Sequence, residues 1–407
     1  MSLDEYPDDP FYQGRNMLFR EASLDAAIPV LGEALKKHRY SETVLLPVGR
    51  SFFLFPFQDI INLWNLRQGK IPILLQKSAF PSLYYSRFAR RNRPAYILFR
   101  LFYLGETLTP EELAEVLDKD QIALLMKANL LVQPEDNSVA SLIKITPWKD
   151  YCFISGVENR TPGEFVFIGS DSLILAYHLL LVLQGRTFSS GLDLCTGSGI
   201  QSIMISRFCE QVTCVDINPN SGFYVRANTL LNKDHGTEKI TYRTSNFFDN
   251  AGGPFDLIVT NPPYVCMPPE KKDAWRCGYG GENWGTEFPL KILSDARRRL
   301  TPGGMLKMIT ISPTVAGKDI LVEETRKLLG QEAWSVEFQE VATHCIQESL
   351  YEFHKENRIS HCTFFIITLQ RSDSFRFTYK KVPTLADLLA RIRNMQYEAY
   401  HALTFRK

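Results

Sequence analysis

From about residue 160 to 370 the chain alternates short apolar, β-branched stretches with amphipathic helical ones, and nothing else in the sequence restricts the fold as tightly. The strand candidates are EFVFIG (164–169), GLDLC (191–195), VTCVDI (212–217), KITYRT (239–244), FDLIVTN (255–261), MLKMITI (305–311), SVEFQEVA (335–342) and TFFIITLQ (363–370). Helical stretches such as SDSLILAYHLLLVL (170–183), GIQSIMISRFCEQ (199–211) and NSGFYVRANTLLNKD (220–234) separate most of them. Strands alternating with helices imply parallel neighbours, right-handed crossovers and helices on both faces of a sheet. The last two candidates have no comparable helix between them, which predicts an antiparallel final strand. The expectation over 160–372 is an α/β, Rossmann-like, seven-stranded and mostly parallel sheet.

The N-terminal half reads differently. Residues 22–39 carry apolar positions at helical spacing, after a polar and aromatic arm. AYILFRLFYLG predicts a helix ended by Gly105, and Thr109-Pro110-Glu111-Glu112 then supplies an N-cap, a proline at the first helical position and a glutamate at the third. EELAEVL and DKDQIALLMKANLLV follow as helices, and SLIKI and DYCFIS as strands. Three helices and two strands give a winged-helix-like segment at about 93–155, inside a mainly helical accessory and substrate-recognition domain over 1–155. The apolar spacing of PTLADLLARIRNMQYEAYHAL predicts a helical extension within 373–407.

Composition narrows the functional classes. Lys plus Arg total 46 against 45 Asp plus Glu, a net charge of +1, so no global field favours nucleic acid. A local candidate exists: Arg87, Arg90, Arg91, Arg93 and Arg100 interleave with Tyr84, Tyr85, Phe88, Tyr96 and Phe99, a combination that suits single-stranded nucleic acid. The longest uncharged apolar run, Leu173 to Leu183, has eleven residues, against the roughly 20 a bilayer span needs. The N-terminus opens on acids (Asp4, Glu5, Asp8, Asp9) without a basic and apolar leader, so no membrane association and a cytoplasmic location are expected. The eight Cys form no CxxC pair, and the His show no HxxxH pair, so no metal site is expected.

The strand ends carry the chemistry. Asp193-Leu194-Cys195-Thr196-Gly197-Ser198-Gly199 closes the second strand candidate, and a helix begins at once. Its glycines allow a tight turn and close approach of a ligand, while a helix N-terminus suits an anionic group. Ser202 stands where a dinucleotide fingerprint wants a third glycine. Asp216 ends the next strand, 216 − 193 = 23 residues on, placed to accept both hydroxyls of a ribose or else to cap a helix. Ser245-Asn246-Phe247-Phe248-Asp249 follows the strand after that and suits an adenine edge and face.

Thr260-Asn261-Pro262-Pro263-Tyr264 is the most informative string. Two prolines directly after a central strand cannot extend a ladder and make a rigid turn at the sheet's ligand-binding edge. Asn261 and the prolyl carbonyls offer acceptors there, and Tyr264 offers a planar wall. The group so recognised is a planar nitrogen carrying hydrogens, an amide or an exocyclic amine.

The ordered set DLCTGSG, VDIN, SNFFD and NPPY resembles the class I S-adenosylmethionine-dependent methyltransferases, over about residues 165 to 370. It is most similar to the branch holding release-factor glutamine, N6-adenine and ribosomal guanine methyltransferases. The N-terminal half resembles that of two-part bacterial proteins carrying a small-methyltransferase domain. The resemblance implies S-adenosylmethionine as cofactor. Asp193, Cys195, Thr196, Gly197 and Gly199 would surround its methionyl part, Asp216 and Ile217 its ribose and adenine, and Asn246 and Phe247 the adenine edge and face; Asn261 stands beside both cofactor and acceptor. Asn261, Pro262, Pro263 and Tyr264 would be catalytic, binding the target nitrogen with Tyr264 stacked on it. Gly281, Glu282 and Trp284 lie in a stretch resembling the family's GG-x-DG, with Asn283 in place of the usual acid and Trp284 intruding; they would bind substrate. The stretch between Tyr264 and Gly281 reads as a flexible loop able to close over it.

Three readings stay open. The first, and preferred, is N-methylation of an amide or amino nitrogen in a protein, peptide or small molecule. The second is methylation of an RNA or DNA base, with Arg87, Arg90, Arg91 and Arg93 on the nucleic acid. The third is a methyltransferase-like binding module without catalysis.

Overall fold

A stripe of apolar residues three and four apart puts one face of a helix into a core, and the first helix, α1 (Glu21–Lys37), is built that way: Leu24, Ala27, Ile28, Leu31, Ala34 and Leu35 are all buried. The structure, a computed structural model, describes residues 21–42, 92–133, 138–157, 166–272, 277–330, 332–344 and 350–381. The N-terminal arm, residues 43–91 with Arg87, Arg90 and Arg91 among them, and residues from 382 onward lie outside these.

Helix α2 (Arg93–Phe99) starts on Asn92, whose side chain accepts from Ala95 N–H, and runs through a π turn (Arg100–Leu104) to the expected stop at Gly105, φ +71°. The Thr109–Glu112 capping box opens α3 (Pro110–Ala114), and a second box, Asp118–Gln121, opens α4 (Lys119–Lys127). Strands β1 (Leu131–Val132) and β2 (Ala140–Ser141) pair antiparallel, as do β3 (Ile143–Trp148) and β4 (Tyr151–Gly156). SLIKI and DYCFIS fall on strands, whereas Leu131–Val132, read as the end of a helix, is strand β1.

The alternating half contains α5 (Ser170–Val182), β5 (Phe188–Leu194), α6 (Ile200–Ser206), β6 (Cys209–Asp216), α7 (Ser221–Leu231), β7 (Ile240–Thr244) and β8 (Phe255–Thr260). There follow α8 (Glu282–Gly285), α9 (Glu287–Ala296), β9 (Leu300–Val315), β10 (Lys318–Asp319), α10 (Ile320–Leu329), β11 (Trp334–His344), α11 (Tyr351–Glu356), β12 (Ile359–Arg371) and β13 (Arg376–Lys380). The described residues divide into two compact units: 21–42, 92–133, 138–157, 166–173 and 196–250 form one, and 174–195 with 251–272, 277–330, 332–344 and 350–381 the other.

In the first unit β6 and β7 run parallel, Asp216 opposite Thr244. Its core joins Leu24, Ile28 and Leu31 of α1 to Phe99, Phe102, Ile145 and Tyr224, so the N-terminal helices and α7 share one apolar interior. In the second unit β5 pairs with β8 and β8 with β9, both parallel, while β12 lies antiparallel between β9 and β11. Seven of the eight strand candidates are strands. The eighth is corrected: 166–169 of EFVFIG has no ladder and leads as open chain into α5, and Phe167 there is 47% exposed. A second difference lies at the C-terminal end, where Arg376–Lys380 is not helical extension but strand β13, parallel to β11. Among the described residues no helix is long and apolar enough to cross a membrane.

Candidate active site

The turn after β5 is held by backbone conformations that ordinary side chains avoid. Cys195, Gly197 and Gly199 take φ of +58°, +51° and +79°. A left-handed residue with a side chain costs roughly 1–2 kcal/mol, so Cys195 is a strained substitute where glycine is the natural choice. In the first unit, Gly197 N–H donates to Asp216 Oδ2 at 2.7 Å and Asn218 N–H to Oδ1 at 2.9 Å. Thr196 is buried; its N–H donates to Val215 O at 3.0 Å and its hydroxyl lies 3.0 Å from that of Ser202. The acid at the end of β6 thus organises the glycine turn itself. Burial raises the Asp216 carboxyl above the usual carboxylate range, opposed by the N–H donors of Asn218 and Gly197.

The loop after β7 is fixed by one hydroxyl. Ser245 Oγ donates to Phe247 O at 2.9 Å and accepts from Asn250 N–H at 2.9 Å. That network holds Phe247 at φ +45°, a conformation an aromatic residue adopts only when its surroundings impose it. Ile217, Asn246 and Phe247 are half-buried, so each presents surface beside a strand end.

The second unit carries the other group of expected residues. Asp193 is wholly buried on β5 opposite Val259, and Thr260 Oγ1 donates to Leu194 O at 2.7 Å, locking the tip of β8 to that of β5. Asn261 follows, half-buried, then the two prolines. Tyr264 is less open than a stacking wall would be. It is 8% exposed, edge-on to Phe364 with ring centroids 5.9 Å apart, in a cluster with Cys266, Ile311, Ile359 and Cys362.

Residues 280–285 form the bed of this turn. Tyr264 and Val265 N–H both donate to Gly278 O, at 3.1 and 2.6 Å. A Cβ on Gly280 would collide with Gly285 O and stand 2.6 Å from Tyr264 Cα. Gly281 is buried at φ +85°, and Glu282 is exposed with its N–H donating to Glu287 Oε2 at 2.7 Å. Trp284, at φ +58°, packs on the Tyr264 cluster and points Nε1–H at Asn357 Oδ1, 3.4 Å away. The loop expected to be flexible is therefore pinned at both flanks; its centre, 273–276, lies outside the described residues.

Four structural contributors were not singled out from sequence. Val166 lies 3.6 Å from where a Gly197 Cβ would stand. Asn228 of α7 donates to Ser198 O, inside the glycine turn, at 2.8 Å. His354 of α11 sits 2.9 Å from Cys266 O through Nε2, and because a carbonyl only accepts, that nitrogen carries the proton. Asn357 holds Trp284. The only hint was a pair of asparagines four apart, 228 and 232, on one helix face. Of the arginines expected to favour nucleic acid, the described ones are committed to acids: Arg93 forks onto Glu115, and Arg100 bridges Glu106 and Glu112.

Known proteins are similar to this chain over the stretch that carries these turns. Residues 172–328 match the family model of the methyltransferase small domain. A ribosomal protein uL3 glutamine methyltransferase of Xanthomonas campestris is 33% identical over 132 residues, 30% of this chain and 42% of that protein. A release factor glutamine methyltransferase of Borreliella burgdorferi is 30% identical over 158 residues, covering 37% of this chain and 54% of its own. The methyltransferase HEMK2 of Mus musculus is 28% identical over 185 residues, 42% of this chain and 80% of that one. The chain thus spans about half the length of these two glutamine methyltransferases.

Proposed function

With a methyltransferase small domain at residues 172–328 as the premise, we propose that this chain transfers a methyl group from S-adenosylmethionine to the side-chain amide nitrogen of a glutamine in a protein. The observation that carries the reading is the Asn261-Pro262-Pro263 turn, locked at its root by Thr260 and bedded on Gly280. Relatives named for the glutamine of a ribosomal protein and of a release factor support that acceptor class, and a cytoplasmic location is part of the same proposal.

The residues present fit the cofactor. Asp216 Oδ2 and Oδ1 accept from Gly197 and Asn218 N–H, and ribose hydroxyls would donate to the same carboxylate, taking the place of the Ser221 hydroxyl rather than of the bonds that hold the turn. Gly197, left-handed and half-buried, leaves backbone open for the methionyl part, with Asp193, Cys195, Thr196 and the buried Gly199 flanking, and Ile217, Asn246 and Phe247 would hold the adenine. Bound there, the cofactor supplies a methyl carbon made electrophilic by a sulfonium. The Asn261 carbonyl oxygen and Pro262 O would accept the hydrogens of the target amide, leaving its lone pair free and stabilising positive charge that grows on nitrogen. Pro262 and Pro263 fix those acceptors in place, and Tyr264 backs the turn from the core. Gly281, Glu282 and Trp284 would border the acceptor chain. Orientation of this kind lowers a barrier by up to roughly 7–11 kcal/mol.

The demethylated cofactor, S-adenosylhomocysteine, tests the reading. At 100 times its dissociation constant it should stabilise the native chain by about 2.7 kcal/mol and raise the Tm accordingly. Asp216→Ala should weaken binding at least tenfold by calorimetry. No Tm shift at saturation, or an unchanged affinity in the variant, would overturn the cofactor assignment.

A further inference from the structure

Asn228 is fully buried on α7, and its one carboxamide makes three short hydrogen bonds. Its Oδ1 accepts from Ile154 N–H at 2.6 Å, while Nδ2 donates to Ile154 O at 2.8 Å and to Ser198 O at 2.8 Å. The first two bonds engage both backbone groups of one β4 residue, as a neighbouring strand would. The third reaches into the glycine turn. One helical turn further on, Asn232 repeats the first half of the arrangement on Cys152, accepting from N–H at 3.2 Å and donating to O at 2.8 Å. Asn232 donates as well to Asn228 O, within the helix, at 2.8 Å, and has no bond to the turn.

Strand β4 therefore finds on α7 a row of two carboxamides where a sheet would offer backbone. Residues i and i+4 stand one above the other on a helix, which is the spacing needed to meet alternate residues of an extended strand. A carboxamide has two donors and two acceptor positions, so Asn228 can serve the strand and still hold one hydrogen for the turn. The turn gains from such a tie, because Cys195 at its start is held at a left-handed φ that its side chain resists, while Gly197 and Gly199, free to take many conformations, need to be held in one. Val225, one turn earlier on α7, stands 3.1 Å from where a Gly199 Cβ would be and supports the same turn from that helix.

We propose that Asn228 is a positioning residue through which the β3–β4 hairpin of the N-terminal segment sets the conformation of the cofactor turn at Thr196–Gly199. The accessory segment is then part of the cofactor site's framework, and whatever shifts the hairpin changes cofactor affinity. This rests on the reading of that turn as the S-adenosylmethionine site.

Asn228→Leu, Asn228→Asp and Asn232→Leu in the full-length chain decide it, each followed by amide hydrogen exchange without ligand and by calorimetry with S-adenosylhomocysteine. As a carboxylate, Asn228→Asp keeps an acceptor for Ile154 N–H and loses the donations to Ile154 O and Ser198 O, so it breaks the tie without emptying the site if Asn228→Leu does not fold. Exchange of Thr196–Gly199 is expected to speed up at least tenfold in both Asn228 variants and less than threefold in Asn232→Leu. Affinity should fall at least tenfold in the Asn228 variants and stay within threefold in Asn232→Leu, even where the Tm drops equally. A purely structural role would lower the Tm without separating the two positions, and equal exchange in Asn228→Asp and Asn232→Leu would overturn the proposal. If the wild type itself fails to bind S-adenosylhomocysteine, the cofactor reading falls, while the exchange data still judge the tie.

Discussion

Gly197 and Gly280 stand in the two groups of residues that carry the expected chemistry, and glycine is needed at each for a different reason. Gly197 takes φ +51°, yet a Cβ there would meet only Val166 at an ordinary 3.6 Å. Gly280 is outside the left-handed region, yet a Cβ would strike the backbone of Gly285 and Tyr264. The first region is shaped by hydrogen bonds that impose a dihedral: Asp216 on Gly197, Asn228 on Ser198, Ser245 on Phe247. The second is shaped by packing, with chain laid against chain and Tyr264, Trp284 and Phe353 filling the space behind. A site region built on dihedrals tolerates an imperfect residue at a modest energetic cost, as Cys195 shows. One built on contact does not.

The largest test of that contrast is the pair Gly280→Ala and Gly197→Ala. Backbone cannot yield as a side-chain tip can, so Gly280→Ala should cost about 4 kcal/mol or more in chemical denaturation, or prevent folding. Gly197→Ala should cost about 1–2 kcal/mol. Equal costs would erase the distinction.

Burial in the second unit has its own acid sensitivity. His178 on α5 is 4% exposed, and desolvation, with Lys307 and Lys380 nearby, lowers its pKa to about 3. Between pH 6.5 and 3 the unfolded chain binds a proton there that the folded chain refuses, so stability is lost as pH falls through that window. Each pH unit of that window carries at most about 1.4 kcal/mol. His178→Leu should flatten this limb of an unfolding titration. An unchanged slope would mean that His178 titrates in the fold as it does in water.

Smallest is the effect at Cys195. Cys195→Gly relieves the left-handed strain and loosens the unfolded chain, two terms that oppose each other and leave a gain of about 1 kcal/mol or less. A loss of more than about 1 kcal/mol would show that the thiol, not the dihedral, earns the residue its place.

The contrast explains what was legible in the sequence. Alternation located β5 to β9, β11 and β12, because parallel strands and their crossovers each leave a periodic record. Thr109 and Glu112 announced a helix start, because a capping box is a local device. The glycine turn, Asp216 and the two prolines were equally readable, since each is chemistry at fixed spacing. EFVFIG misled, because a short apolar run reads as strand whether or not a partner receives it; here Val166 faces the Gly197 turn instead. Tyr264 was read as an open wall, though its ring turns inward to Phe364. His354 reaches a carbonyl 88 residues away and Trp284 an amide 73 away, and a side chain that serves distant backbone leaves no period or spacing behind. Asn228, whose bonds run to Ile154 and Ser198, is of that kind too.

Tritiated methyl incorporation from S-adenosylmethionine into a cell extract, divided afterwards between nuclease and protease and run with wild type beside Asn261→Ala, tests the central assignment most directly. The expected result is label in protein that protease removes, falling more than about 100-fold in the variant while S-adenosylhomocysteine affinity stays within a few-fold. Wild-type incorporation by Asn261→Ala, or label that only nuclease abolishes, would contradict it.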